Sequence, residues 1–333
     1  MQIDIHSHFI PESYLDLLEN KRMKAKLGVE KELRNGEEYL VHEQGYVYPL
    51  DKGFYDPEYR INEMKAKGID MCALSVSPTV LHYWNDVETG VAISQLFNNA
   101  IAEWVKEYPE NFVGMGTLPL QDVGASLKEL ERLSIELGMP SIMIGANVEG
   151  RYFDEAEFAP LFELAEQLDI FILFHPYYVG NKSGLEKYYL TNFIGNPLET
   201  TITISSLIFG GIIENYPALK LGFVHAGGYM PYQKGRFEHG YKVRPEPKQN
   251  IGKSPFNYFD NLYFDTITHY GPALEYLINS EGSDKVMLGS DYPFDMADFA
   301  PVDTVRNLEG ISDEGKEKVL GLNAERLLKI KRV

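Results

Sequence analysis

The chain is poor in sulfur chemistry: Cys72 is the single cysteine in 333 residues. That count excludes an internal disulfide and a cysteine-ligated zinc site, and it suits a reducing compartment. Cys72 lies in the apolar run Met71-Cys72-Ala73-Leu74, so a small core residue is expected rather than a nucleophile. Positive charge is also scarce, with 31 Lys and Arg against 49 Asp and Glu and a formal net charge of −18. Such a surface repels polyanions, which argues against nucleic acid and anionic membranes as partners. No apolar run approaches the roughly 20 residues that span a bilayer, and no signal-peptide pattern precedes Gln2-Ile3-Asp4. The expectation is a cytoplasmic protein. No repeat of fixed period appears.

What the chain does have is enough apolar material for a sizeable core, 44% hydrophobic and 13% aromatic residues. From Asp56 onward, apolar runs alternate with helical patterns. Strands are predicted to start near positions 2, 71, 112, 141, 170, 219, 262 and 285. Helices are predicted at about 57–68, 86–108, 123–137, 155–168, 197–215, 272–280, 302–308, 314–320 and 324–330. Strand–helix alternation implies parallel pairing through right-handed crossovers, and eight such units in this length predict a single (β/α)8 TIM barrel over residues 1–333. Residues 12–56 break the rhythm. They read as an insertion after strand 1, with a short helix at 13–18, a solvated charge-rich stretch at 21–38 and a hairpin-like alternation over 38–48.

In barrels of this kind the chemistry gathers at the C-terminal ends of the strands. Strand 1 ends in His6-Ser7-His8, where alternation points both imidazoles to one side. Strand 5 ends in His175, strand 6 in His225, strand 7 near Asp265, and strand 8 in Asp291. A lone histidine at such a place is more often a satisfied core residue, and Asp291 before Tyr292-Pro293 could merely make a turn. Their joint occurrence at converging strand ends favours a metal site. His6, His8, His175 and Asp291 offer three nitrogens and an oxygen, a set suited to a borderline divalent ion, zinc first. Strand 4, Ser141-Ile142-Met143-Ile144-Gly145, has no lysine that could become a carboxylated bridge, so one metal is expected. His225 is then free to act as an acid or base beside metal-polarised water, with a structural histidine as the bland alternative.

His6-Ser7-His8-Phe9, Phe174-His175-Pro176, Val224-His225-Ala226-Gly227-Gly228 and Leu288-Gly289-Ser290-Asp291-Tyr292-Pro293-Phe294 resemble the motifs of the amidohydrolase superfamily. The nearest branch is that of aminocarboxymuconate-semialdehyde decarboxylase, and Pro197-Leu198-Glu199-Thr200 and Gly271-Pro272-Ala273-Leu274-Glu275 fit it too. The resemblance runs from residue 3 to about 330. It implies one zinc on His6, His8, His175 and Asp291, and a catalytic role for His225. It also implies a homodimer in which Arg236 and Arg244 reach the partner's active site to hold substrate carboxylate. Guanidinium groups bind carboxylates bidentately, and an acidic protein needs local positive charge to hold an acid. The chain departs from the pattern in two places. Tyr46-Val47-Tyr48-Pro49, with Lys52 nearby, stands where the family places an arginine. Tyr177, Tyr178 and Asn192 replace a tryptophan, an aspartate and a tryptophan. His82, Tyr83, Trp84 and His269 follow strands on the site face, where aromatic packing is expected of them.

The expected function is a zinc-dependent decarboxylase of a small unsaturated or aromatic carboxylic acid, with His225 and Asp291 managing the proton and no organic cofactor. The competing enzyme reading is a metal-dependent hydrolase of an amide, ester or lactone, with Asp291 as base. A non-catalytic small-acid binding protein is the reading from a different class.

Overall fold

The computed structural model describes residues 1–180 and 182–330. Eight parallel strands form one sheet in the order β1 (Ile3–Phe9), β5 (Met71–Val76), β6 (Phe112–Gly116), β7 (Ser141–Gly145), β8 (Phe171–His175), β9 (Lys220–Phe223), β10 (Leu262–Asp265) and β11 (Val286–Met287). Every residue of β5, β7 and β8 is buried, which is why these segments read as unbroken apolar runs rather than alternating ones. The sheet curls shut between its first and last members. Ile5 N–H donates to Leu288 O at 2.9 Å, Asp291 N–H to His6 O at 2.8 Å and His8 N–H to Tyr292 O at 2.8 Å. The fold is the expected (β/α)8 barrel, and its seam joins the two segments that carry His6, His8 and Asp291.

Helix starts follow their caps. Asp56, Asp86 and Asp122 each accept a backbone N–H in the first turn of the helices Pro57–Ala66, Val87–Glu107 and Val123–Ile135. The single helix expected over 197–215 is two: Asn196–Phe209 and Ile212–Asn215. They are separated by Gly210 and Gly211, the latter at φ 81°, a conformation that costs glycine little. The stretch expected as one helix over 314–320 is a short helix, Asp313–Glu317, running into a wider turn over Lys318–Leu322. The helix Met230–Val243 had no counterpart in the sequence reading. Its residues carry two glycines and bury only Met230 and Pro231, so no apolar stripe announces it.

Between β1 and the helix Pro57–Ala66 lie the helices Glu12–Leu17 and Lys21–Leu27 and a three-stranded antiparallel sheet. Its strands are β2 (Val29–Arg34), β3 (Glu37–His42) and β4 (Val47–Pro49), one more than a hairpin. The charged stretch is solvated on one side only, since Leu27, Val29, Leu40 and Tyr48 are buried. Tyr48 packs edge-on against Phe294 at 5.1 Å, and its hydroxyl lies 2.6 Å from Thr79 Oγ1. The segment thereby leans on the barrel mouth beside His8, whose ring is 5.2 Å from Phe294. Cys72 is buried, and burial raises its thiol pKa, as suits a core residue. Among the described residues no helix is long and apolar enough to cross a membrane.

Candidate active site

β1 is not a regular strand. Ile3 and Asp4 pair with Met71 and Cys72, but Ser7 and His8 pair with Leu74 and Ser75, so one extra residue is accommodated between them. The bulge lets Asp4 turn back on its own strand, accepting the His6 N–H at 3.0 Å, and such bulges re-aim side chains next to active sites. His6 and His8 still end on one side, with their Nε2 atoms 3.1 Å apart. His8 Nε2 is 2.9 Å from Asp291 Oδ1, His6 Nε2 is 3.3 Å from the same oxygen, and His175 Nε2 is 3.9 Å from it. One donor atom from each of the four residues lies within 4.8 Å of every other.

The far side of each ring decides what the near side can do. His6 Nδ1 faces Asp265 Oδ2 at 2.7 Å, His8 Nδ1 faces Val76 O at 3.4 Å, and His175 Nδ1 faces Pro176 O at 2.7 Å. All three partners can only accept, so in the neutral rings the proton sits on Nδ1 and each Nε2 presents a lone pair. Three lone pairs and a carboxylate oxygen then meet with no proton to share among them, and His175 Nε2 is buried with no hydrogen-bond partner. Such a cluster repels itself unless a cation lies at its centre, and these residues could hold one divalent ion.

The electrostatics point the same way. Burial works against charge on His6, yet Asp291 and Asp265 lift it to about 10. Two carboxylates around one buried imidazole mark a place that calls for positive charge, which a divalent ion supplies while leaving Nε2 unprotonated. Burial holds His8 down to about 4 and His175 to about 3, so both are neutral ligands at neutral pH. Burial alone would raise Asp291, but the surrounding imidazoles, His6 foremost, keep it well below the usual carboxylate range.

His225 stands beside this cluster, with Nε2 at 3.7 Å from Asp291 Oδ2. It lies just past β9 in a sharp turn where His225 and Ala226 take positive φ of 53° and 56°. Asp265 pins that turn by accepting the N–H of His225 at 2.9 Å and of Ala226 at 2.7 Å. The same carboxylate orients His6. Burial disfavours its charge, but the hydrogen bond from His6 lowers its pKa, so it is an ionised, fully buried linchpin. From the sequence Asp265 is only a strand-end carboxylate with no assigned role, since its partner His6 is 259 residues away.

A cavity of about 440 Å³ opens on His225 and Asp291, its walls formed by segments that follow β8, β9, β10 and β11. Phe193, Tyr229, Tyr232 and Tyr276 give it an aromatic character, and Asn192 and His269 add polar groups. Among the described residues no lysine or arginine lines it. Arg236 is exposed on the helix Met230–Val243, and exposed Arg244 ends that helix, donating from Nε to Glu246 Oε2 at 3.0 Å. Within one chain, therefore, neither predicted arginine joins the site. His82 does not line the cavity: it is buried, 2.9 Å from the Tyr14 hydroxyl and 3.0 Å from Asn85 Oδ1. Tyr177 does not line it either: it is buried, packed on Tyr83 and accepting the Glu149 N–H at 2.8 Å.

Fold and site together define a class: a (β/α)8-barrel enzyme with a site fit for one divalent ion. The family model described as Amidohydrolase matches residues 3–330. The 2-amino-3-carboxymuconate-6-semialdehyde decarboxylase of Dictyostelium discoideum is 33% identical over 97% of this chain and 90% of its own length. The gamma-resorcylate decarboxylase of Polaromonas sp. strain JS666 is 27% identical over 93% of this chain and 100% of its own. A dihydroxybenzoic acid decarboxylase structure from Polaromonas sp. JS666, with bound manganese and 2-nitroresorcinol, superposes with a TM-score of 0.81 at 22% identity, covering 100% of this chain and 98% of that one. The chain belongs to the amidohydrolase family, in the branch of aminocarboxymuconate-semialdehyde decarboxylase, a branch of carboxy-lyases.

Proposed function

We propose that the chain is a metal-dependent decarboxylase of a small unsaturated or aromatic carboxylic acid. The observation that carries this reading is the convergence of three Nε2 lone pairs and Asp291 Oδ1 beside His225, with Asp291 and His225 opening on an aromatic cavity. His6, His8, His175 and Asp291 would hold one divalent ion. Their nitrogen-rich set suits zinc first, while manganese is bound in the Polaromonas neighbour. Bound there, the ion would supply a Lewis acid that polarises a substrate oxygen.

The chain's own residues do the rest. The aromatic walls stack the substrate and exclude water from the reacting carbon. His225 and Asp291, with Nε2 and Oδ2 3.7 Å apart, manage a single proton. His225 delivers it to the carbon bearing the carboxylate. The C–C bond to the carboxylate then breaks, its electron pair is retained by the substrate's π system, and carbon dioxide leaves. Protonation first means that no free carbanion has to be stabilised. Overall, one proton is consumed and one C–H bond replaces one C–C bond.

The described residues of one protomer place no lysine or arginine in the cavity to orient the acid. We assign that task to Arg236 and Arg244 reaching in from the partner subunit of a homodimer, as bidentate carboxylate binding requires. The single cysteine, already buried, fits a reducing compartment, and we assign the enzyme to the cytoplasm. The test is a panel of hydroxybenzoic acids, unsaturated acids and lactones incubated with metal-loaded enzyme. Carbon dioxide release from at least one acid, with the matching decarboxylated product, is expected. Ring opening of lactones with no carbon dioxide from any acid would favour the hydrolase instead.

A further inference from the structure

We infer that Arg60 is a positioning residue for the metal centre, holding the backbone that carries His8 against the segment that carries Asp291. The inference rests on the four-ligand reading of the site. Arg60 lies on the helix Pro57–Ala66 and is completely buried, which is rare for an arginine without a carboxylate clasping it. Its Nη1 donates to the carbonyl of His8 at 2.5 Å and to that of Gly53 at 2.8 Å. Its guanidinium carbon lies 5.5 Å from the ring centroid of Tyr292, the residue directly after Asp291. One side chain thus touches the end of β1, the turn Lys52–Phe54 and the loop that closes the barrel seam.

The reason this matters more for His8 than for the other ligands lies in their outer contacts. His6 and His175 are fixed through Nδ1 by partners at 2.7 Å, whereas His8 Nδ1 is 3.4 Å from Val76 O. The ring of His8 is the least firmly held of the three by its own partner. Its backbone is held at both groups: the N–H is spent on Tyr292 O at 2.8 Å and the carbonyl on Arg60. Gly53 makes room for the arrangement, since a Cβ there would meet the Tyr292 hydroxyl at 2.2 Å. A guanidinium is a rigid planar fork that fixes the direction of its bonds, whereas a lysine ammonium is a point charge on a flexible stem and fixes them less.

The test measures zinc affinity by competition with a chelator of known strength, alongside thermal unfolding of the metal-free protein. The variants are Arg60→Met, Arg60→Lys and Lys67→Met. The last removes a cation 4.7 Å from the same Tyr292 ring that makes no bond to His8. Arg60→Met should weaken zinc binding about 10-fold or more, as loss of an outer-layer partner does. Arg60→Lys should recover part of that loss through one carbonyl bond, and Lys67→Met should leave affinity unchanged. Arg60→Met leaves the His8 and Gly53 carbonyls without that donor and so lowers stability; if it does not fold, Arg60→Lys decides alone. Variants that unfold earlier yet bind zinc within about twofold of the unmodified protein would overturn the inference and leave Arg60 a purely structural residue. An unmodified protein that takes up no zinc would instead overturn the metal centre itself.

Discussion

The most revealing single substitution is Asp265→Asn, because it changes one atom in a side chain that serves two parts of the site. Asp265 accepts four hydrogen bonds: from His6 Nδ1 at 2.7 Å, His225 N at 2.9 Å, Ala226 N at 2.7 Å and Ile267 N at 3.1 Å. An asparagine has one accepting oxygen, so its amide nitrogen must face two of those donors. If the oxygen stays with Ala226 and Ile267, the NH2 group confronts both His6 Nδ1 and the His225 N–H, leaving that N–H unpaired and forcing the His6 proton onto Nε2, where the metal should bind. If the amide is reversed, Ala226 and Ile267 lose their partner and the turn presenting His225 loosens. The first outcome should weaken the metal about 10- to 100-fold, equivalent to about 1.4–2.7 kcal/mol. The second should cost about 1–3 kcal/mol of stability for each orphaned buried N–H. Zinc affinity by chelator competition separates the two when paired with unfolding curves recorded with and without zinc. Zinc affinity, stability and turnover all unchanged in Asp265→Asn would refute the claim that this carboxylate sets the tautomer of His6.

Further predictions follow from the same geometry. His225→Gln should abolish carbon dioxide release while zinc content, measured by mass spectrometry, stays at that of the unmodified protein, because His225 is not among the four converging ligands. His82 is buried and pushed down by burial to about 3, against about 6.5 in the unfolded chain. The unfolded state therefore binds the extra proton between those values, and stability is fully present above pH 6.5 and falls as pH drops. At pH 5 the loss from this residue is about 2 kcal/mol, read as the difference in denaturant midpoint shift between the unmodified protein and His82→Gln. Arg236→Ala and His225→Ala should each be inactive alone. Mixed and refolded together they should regain activity, since hybrid dimers contain one complete site; no recovery would place Arg236 outside the partner's site.

The barrel was legible because its strands are covered on both faces: runs such as Phe171–His175 admit hardly any other reading. The site was legible for a related reason, since a polar residue capping such a run stands out. That is how His175 stands out, while His6 and His8 stand out by their alternation and Asp291 by its place at a strand end. Residues whose work is done at long range left no such mark. Asp265 looks like any strand-end carboxylate until its contacts with His6 and the turn at His225 are seen. Arg60 reads as an ordinary charge on an amphipathic helix, although it is fully buried. The bulge in β1 is invisible because alternation over Ile3-Asp4-Ile5-His6 fits a regular strand equally well. The helix Met230–Val243 buries too little to create a pattern. Arg236 and Arg244 came only from resemblance, and a single chain leaves them on its surface.

On the proposed function, catalysis depends on one divalent ion held by His6, His8, His175 and Asp291. That dependence is tested most directly by stripping that ion from active enzyme with a chelator, then titrating zinc or manganese back while recording carbon dioxide release. Activity should disappear on stripping, return in proportion to added ion and saturate at one ion per chain, with His175→Ala recovering nothing. Full-rate carbon dioxide release from metal-free protein would contradict it.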